Sequence, residues 1–155
     1  MFNINSVNIS IYYIIGLFLI SNFLLFLNFF SSLNKNLNTI VFLIPFFYCF
    51  FLEKKTLISF LKISAIFSLF SLLLISYDTV NRPDGGLYHL PFTSILNENK
   101  IILGVSNLHF RFGHTSIIQY LDAGYNNIFF NEYGLIFPRC IFLFAVIFYF
   151  VLEFK

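Results

Sequence analysis

From Met1 to Asn34 the chain carries no charged residue, and within that stretch Ile9 to Phe30 offers an unbroken run of mainly Ile, Leu, Phe and Tyr. A helix rising 1.5 Å per residue needs about 20 such residues to cross a hydrocarbon core about 30 Å thick. This run meets that length, so a membrane crossing is the first expectation. A second uncharged stretch, Asn36 to Leu52, contains Pro45, tolerable in a crossing helix where neighbours satisfy the freed carbonyl. Thr56 to Ser76 is the third, with Lys62 placed to snorkel toward the surface of Lys54 and Lys55 or to face a protein partner. The fourth runs from Pro138, suited to a first helical turn, to about Leu152. Those residues span only about 22 Å, so the helix is expected to begin earlier, near Leu135, or to cross a thinned bilayer. The predicted fold is all-α and polytopic, with about four transmembrane helices near 9–30, 37–52, 56–76 and 135–152 in a single domain, 1–155.

Composition agrees. Charged residues make up 10% of the chain against about 25% in soluble domains, and mean hydropathy is +0.85. A net charge of +2, dispersed along the sequence, excludes nucleic acid as a partner, which would demand a clustered basic face. Tryptophan is absent, so an interfacial aromatic belt would have to use Tyr12, Tyr13, Tyr77 and Tyr133. Cys49 and Cys140 lie in apolar runs and read as buried thiols rather than a disulfide or zinc site. The N-terminus lacks the basic region of a cleaved signal. Lys54 and Lys55, in the tight second turn, place that turn in the cytoplasm and the loop 77–137 outside; Lys35 and Arg139 weigh the other way.

That loop is a polar island. Between Asp78 and Phe137 lie all three histidines (His89, His109, His114), five of the seven acids and two of the three arginines. Asp84-Gly85-Gly86 signals a turn, and Pro91 is expected in the first turn of a short helix through about Leu96. A second short helix is predicted from Ile117 to Ala123, with Ser116 as N-cap, Gln119 completing a capping box and Gly124 as the stop. Both are amphipathic enough to lie along a membrane surface.

Among the residues able to carry chemistry, Asp84 is an accessible carboxylate whose basicity partial desolvation would raise, as proton abstraction requires. Ordinary turn chemistry accounts for the same residues. Asp78 could bind a metal or share the proton, or be a solvated interfacial acid. His109 and Arg111 are two apart, so in an extended segment they would share a face and offer a donor and a cation to one anion. Thr115 and Ser116 at the start of the second short helix suit a phosphate. The alternative pairs Arg111 with Asp122 or lipid headgroups and leaves Ser116 a plain cap. No metal ligand is assigned: a divalent metal has little support, because His109 and His114 are five apart and do not share a helical face.

Taken together, Asp84-x-Gly86-Leu87-Tyr88-His89 and Gly104-x-x-Asn107-Leu108-His109-x-Arg111-x-Gly113-x-x-Ser116 resemble the loop signature of a poorly characterised family of bacterial multi-pass membrane proteins, similar in layout to C-type (GT-C) membrane glycosyltransferases. The resemblance covers about residues 77 to 124. It implies transfer of a sugar from a polyprenyl-phosphate donor to a surface-glycan or lipid acceptor, on the extracytoplasmic face of a bacterial inner membrane. Asp84 would deprotonate the acceptor hydroxyl, and Arg111 with His109 would stabilise the leaving lipid phosphate. Tyr88, His89, Asn107 and Ser116 would complete the substrate-binding set. The partners implied are the bilayer, the lipid-linked sugar and a second membrane chain completing the fold; the cofactor is unknown. C-type enzymes have more helices and carry their acidic loop after the first helix rather than the third. A fragment, half of a split enzyme or a truncated, inactive product is therefore also expected. A non-catalytic membrane subunit and a polymerase or carrier of lipid-linked glycans are the alternative functions.

Overall fold

A computed structural model describes residues 9–77, 85–113 and 116–154. Asp78, Asp84, His114 and Thr115 lie outside the described residues. Six α-helices are present, α1 (Ile9–Phe30), α2 (Lys35–Cys49), α3 (Lys54–Tyr77), α4 (Leu90–Glu98), α5 (Ile117–Tyr125) and α6 (Phe137–Glu153), and there is no strand among the described residues. A π-helical turn, Gly85–His89, leads into α4, and a 3-10 segment, Asn131–Ile136, leads into α6. Helix α1 packs on α5 and α6, α3 on α6, and α4 and α2 on α5.

Ser10–Phe30 and Asn131–Val151, each 21 residues, are long and apolar enough to cross a membrane. The expectation of four crossings is thus met, by length and apolar character, at two. Extension of the last helix upstream of Pro138 is supplied by the 3-10 segment rather than by added α-helix. Helix α2 has 15 residues, spanning about 22 Å, with Pro45 inside it. It starts earlier than predicted because Asn34 caps it, its side chain accepting from the Leu37 amide at 2.9 Å, and it ends at Cys49 rather than at 52.

Apart from Leu17 and Leu24 in α1, these helices bury mainly polar or small residues and expose bulky ones. Along α1 the buried stripe includes Ser10, Leu17, Ser21, Leu24 and Asn28, at heptad-like spacing, while Phe18, Leu19, Phe23, Phe26, Phe29 and Phe30 are exposed. Helix α6 buries Cys140 and Ala145 and exposes Phe142, Leu143, Ile147 and Phe150. Helix α2 buries Asn38 and Thr39 and exposes Ile40, Ile44 and Phe47. Only 22% of each candidate span is buried.

Asparagine side chains tie the island to the exits of these helices. Asn38 donates to the carbonyls of Leu33, Ala123 and Asn126, at 2.7, 2.8 and 2.8 Å. Asn97 also donates to Leu33 and Ala123, and accepts from Asn126. Asn28 reaches the carbonyls of Leu96 and Asn99. Those oxygens include the last carbonyls of α4 and α5, which a helix leaves without intrahelical partners. Sequence inspection misses this knot, because asparagine in an apolar run gives no sign of which remote carbonyl it will meet.

Two expectations for the island change. Helix α5 does not lie on a surface: Gln119, Tyr120, Leu121, Asp122, Ala123 and Gly124 are all buried, and Tyr120 and Leu121 join Leu17, Leu24, Phe92 and Leu96 in the core. Gly124 does not stop the helix, which continues to Tyr125. It is needed for packing instead, since a Cβ there would collide with the Leu24 side chain.

Candidate functional site

Four of the residues singled out from the sequence, Tyr88, His89, Arg111 and Ser116, line one cavity of about 360 Å³ together with Phe110 and Gln119. The π-helical turn carries Tyr88 and His89 to the N-terminal end of α4. A 3-10 turn, Phe110–Gly113, carries Arg111. Ser116 is the N-cap of α5, with extended backbone and no side-chain capping bond, so its hydroxyl is left to the cavity.

The guanidinium of Arg111 lies 4.5 Å from the Tyr88 ring centre and 5.6 Å from that of Phe110. Stacking on two aromatic faces holds the planar group while its N–H edge stays available to an anion. Expected pairing of Arg111 with Asp122 is not what forms, because Asp122 is taken by Arg139. Nor is the segment extended. The Arg111 amide donates to Nδ1 of His109 at 3.3 Å, a bond between residues two apart that turns the backbone. The His109 ring stacks on Phe110 and lies parallel to Tyr88, 6.4 Å away, so it backs the platform instead of lining the cavity. Asn107 is exposed on the turn Val105–Asn107 and is not among the lining residues.

Gln119 was expected to close a capping box. It turns away from Ser116, and its amide nitrogen meets His89 Nδ1 at 3.2 Å. With that amide donating, the imidazole carries its proton on Nε2. Gln119 is 5% exposed, and its Oε1 has no partner among the described residues. The sequence signal for this role is only that Gln119 follows Ser116 by three, one helical turn into the cavity wall. The lining combines one cation, an imidazole, a hydroxyl and the positive end of the α5 dipole, and it contains no carboxylate among the described residues. Such a set of groups is able to receive an anion. Among the described residues no group of three or more His, Cys, Asp or Glu could hold a metal ion.

Behind the cavity wall, Asp122 is 2% exposed. Burial pushes its carboxyl up to about 6, against the opposing pull of Arg139. Burial likewise raises the Tyr120 and Tyr125 hydroxyls. Cys140 is buried and Cys49 half-buried, and neither is in a disulfide.

A family model described as a domain of unknown function (DUF8201) matches residues 1–155, and the chain belongs to that family. No curated protein and no solved structure matches it.

Proposed function

We propose that this member of the DUF8201 family is an integral membrane protein that holds the phosphate of a lipid-linked sugar in the Arg111 cavity. Convergence of Arg111, Tyr88, His89 and Ser116 on one cavity, from two segments of the island, is the observation that carries the reading. At about 360 Å³ it suits a headgroup rather than a whole glycolipid, ligand cavities beginning near 300 Å³. Membrane residence is supported by the inverted polarity of α1, α2 and α6. A soluble core helix buries its phenylalanines, whereas these expose several of theirs and bury serine, asparagine, threonine, cysteine and alanine, with Leu17 and Leu24 in α1, as membrane helices do where they pack together. In this reading α2 and α3 also cross, Lys54 and Lys55 face the cytoplasm of a bacterial inner membrane, and the island enters from the outer side.

The reaction we propose is sugar transfer from a polyprenyl-phosphate donor, in the manner of the C-type transferases. Asp84, next in sequence to the turn carrying Tyr88 and His89, takes the acceptor proton, and Arg111 neutralises the departing phosphate. A carrier or subunit that binds without transferring is the second reading, since Arg111, His89 and Ser116 would hold a phosphate in either case.

Binding of polyprenyl phosphate and of the uncharged polyprenol, in detergent micelles, tests the first step. The native chain is expected to prefer the phosphate, and Arg111→Met to weaken it roughly 10- to 100-fold, the worth of a charged hydrogen bond. Equal affinity for both lipids sinks the reading. Asp84→Asn then separates the two functions: retained binding with lost transfer identifies a transferase, and undiminished surface-glycan transfer identifies a carrier.

A further inference from the structure

Leu87, Leu90, Leu108 and Phe110 are exposed by 67, 52, 74 and 69%, on the two segments that bring Tyr88 and Arg111 to the cavity. So much bulky apolar surface beside a polar cavity marks an interaction face. The placement of α4 and α5 says what covers it. The two helices run side by side in the same direction. His89 meets Gln119 at their N-terminal ends (3.2 Å), and Asn126 meets Asn97 at their C-terminal ends (2.8 Å). Their C-terminal ends are fastened at the exit of α1, where the Leu33 amide donates to Leu96 and the Ile101 amide to Asn28. From that exit α5 does not project outward. Gly124 lies against Leu24, and Tyr120 and Leu121 share a buried cluster with Leu24 and Leu17. Leu17 stands about 20 Å down α1 from Phe30.

We infer that α4 and α5 form a re-entrant pair: they dip back into the bilayer beside α1 from its Phe30 end, and Leu87, Leu90, Leu108 and Phe110 contact lipid acyl chains. This rests on the membrane reading above. At the other end of the pair, Ile101 is bonded to Asn28, and Phe29 and Phe30 of α1 and Leu103 (93%) are exposed near that exit. The non-α backbone at Phe110–Gly113 lines the cavity through Phe110 and Arg111, which is where such backbone is tolerated at membrane depth. Both short helices then aim their positive ends at the cavity from within the bilayer.

The chain has no tryptophan, so single-tryptophan variants report depth without background. Leu87→Trp and Leu108→Trp are reconstituted in vesicles of phosphatidylcholine brominated on its acyl chains, with Leu19→Trp in α1 as the membrane reference and Glu53→Trp as the aqueous one. Both rim variants are expected to lose at least about half of their emission, as Leu19→Trp does in an apolar slab about 30 Å thick. If Leu19→Trp is quenched but both rim variants emit like Glu53→Trp, the re-entrant pair is refuted while membrane residence stands. Rim emission that is blue-shifted yet unquenched means protein covers the face and also overturns the inference. An unquenched Leu19→Trp overturns membrane residence itself.

Discussion

Arg139 grips a single oxygen of Asp122: Nη2 donates to Oδ2 at 2.6 Å and Nε to the same atom at 3.1 Å, joining the first turn of α6 to α5. The other oxygen, Oδ1, is buried with no partner among the described residues. The pair is lopsided, since the Arg139 side chain is 46% exposed and that of Asp122 only 3%. The arginine can keep water; the carboxylate cannot.

The pH dependence follows from that asymmetry. Burial raises the folded-state pKa of Asp122 from an ordinary 3.8 to about 6, so between those values the folded chain binds the proton that the unfolded chain has lost. Stability therefore falls as pH rises through this window, and the contribution is fully lost above it. Thermal unfolding in detergent should show this decline in the native chain, and Asp122→Asn should flatten it. An unchanged slope in the variant would assign the decline to other groups.

Removing either partner should have unequal effects. Arg139→Met strands a buried carboxylate and is expected to cost about 3 kcal/mol near neutral pH, whereas Asp122→Asn leaves an arginine in the first turn of α6 that can snorkel to the outer surface and should cost clearly less. The gap should narrow below the Asp122 pKa, where the stranded acid takes up a proton. Denaturant titrations of both variants at the two pH values decide it.

Asn38 donates to three carbonyls, sharing those of Leu33 and Ala123 with Asn97 and reaching that of Asn126 without it. Asn38→Leu, similar in size, should destabilise the chain by about 1–3 kcal/mol, because the Asn126 carbonyl loses its donor and the other two keep only part of theirs. Asn22→Leu, which gives up only an exposed bond to Phe18, should stay within about 0.5 kcal/mol. Comparable losses at both sites would show that the knot contributes nothing special.

The two close-packed glycines should differ in severity. A Cβ at Gly134 would strike the Tyr125 carbonyl oxygen, which is backbone, whereas one at Gly124 would strike the tip of the Leu24 side chain. Gly134→Ala is expected to be the more damaging, and Leu24→Ala should partly rescue Gly124→Ala by opening room. Urea midpoints of the single and double variants would reveal that coupling, and strict additivity would contradict it.

Gln119 should act through His89. In the native chain, nitrogen-15 spectra are expected to show neutral His89 protonated on Nε2, with Nδ1 accepting from the glutamine amide. Gln119→Met should mix the tautomers and weaken phosphate binding about 10-fold, the worth of a hydrogen bond. Spectra identical in the two proteins would remove Gln119 from the site.

Local chemistry was readable from the chain alone where a short stretch decides the outcome. Pro91 starts α4, Ser116 stands just ahead of α5, and the long apolar run at Ile9 becomes α1, because first-turn proline, cap position and run length are properties of neighbouring residues. The cavity was partly readable in the same way, since the two island motifs contribute Tyr88, His89, Arg111 and Ser116 to it. Asn107 and His109 carried the same motif signal and stand outside its lining. The backbone turn at His109 was not visible in a spacing of two.

What the sequence determined by itself is an all-helical chain with a polar segment ahead of its last apolar run; of its four expected crossings, the first and the last have the length and apolar character to span a bilayer, since hydrophobicity and helix length are additive along the chain. Tertiary structure alone decided which buried group meets which. Asp122 took Arg139 rather than Arg111, Gln119 took His89 rather than the helix start, and Asn38 bridged Leu33 to Ala123. Such choices depend on which helix ends are brought within about 3 Å of each other, and hydrogen bonds discriminate at that range while sequence patterns do not.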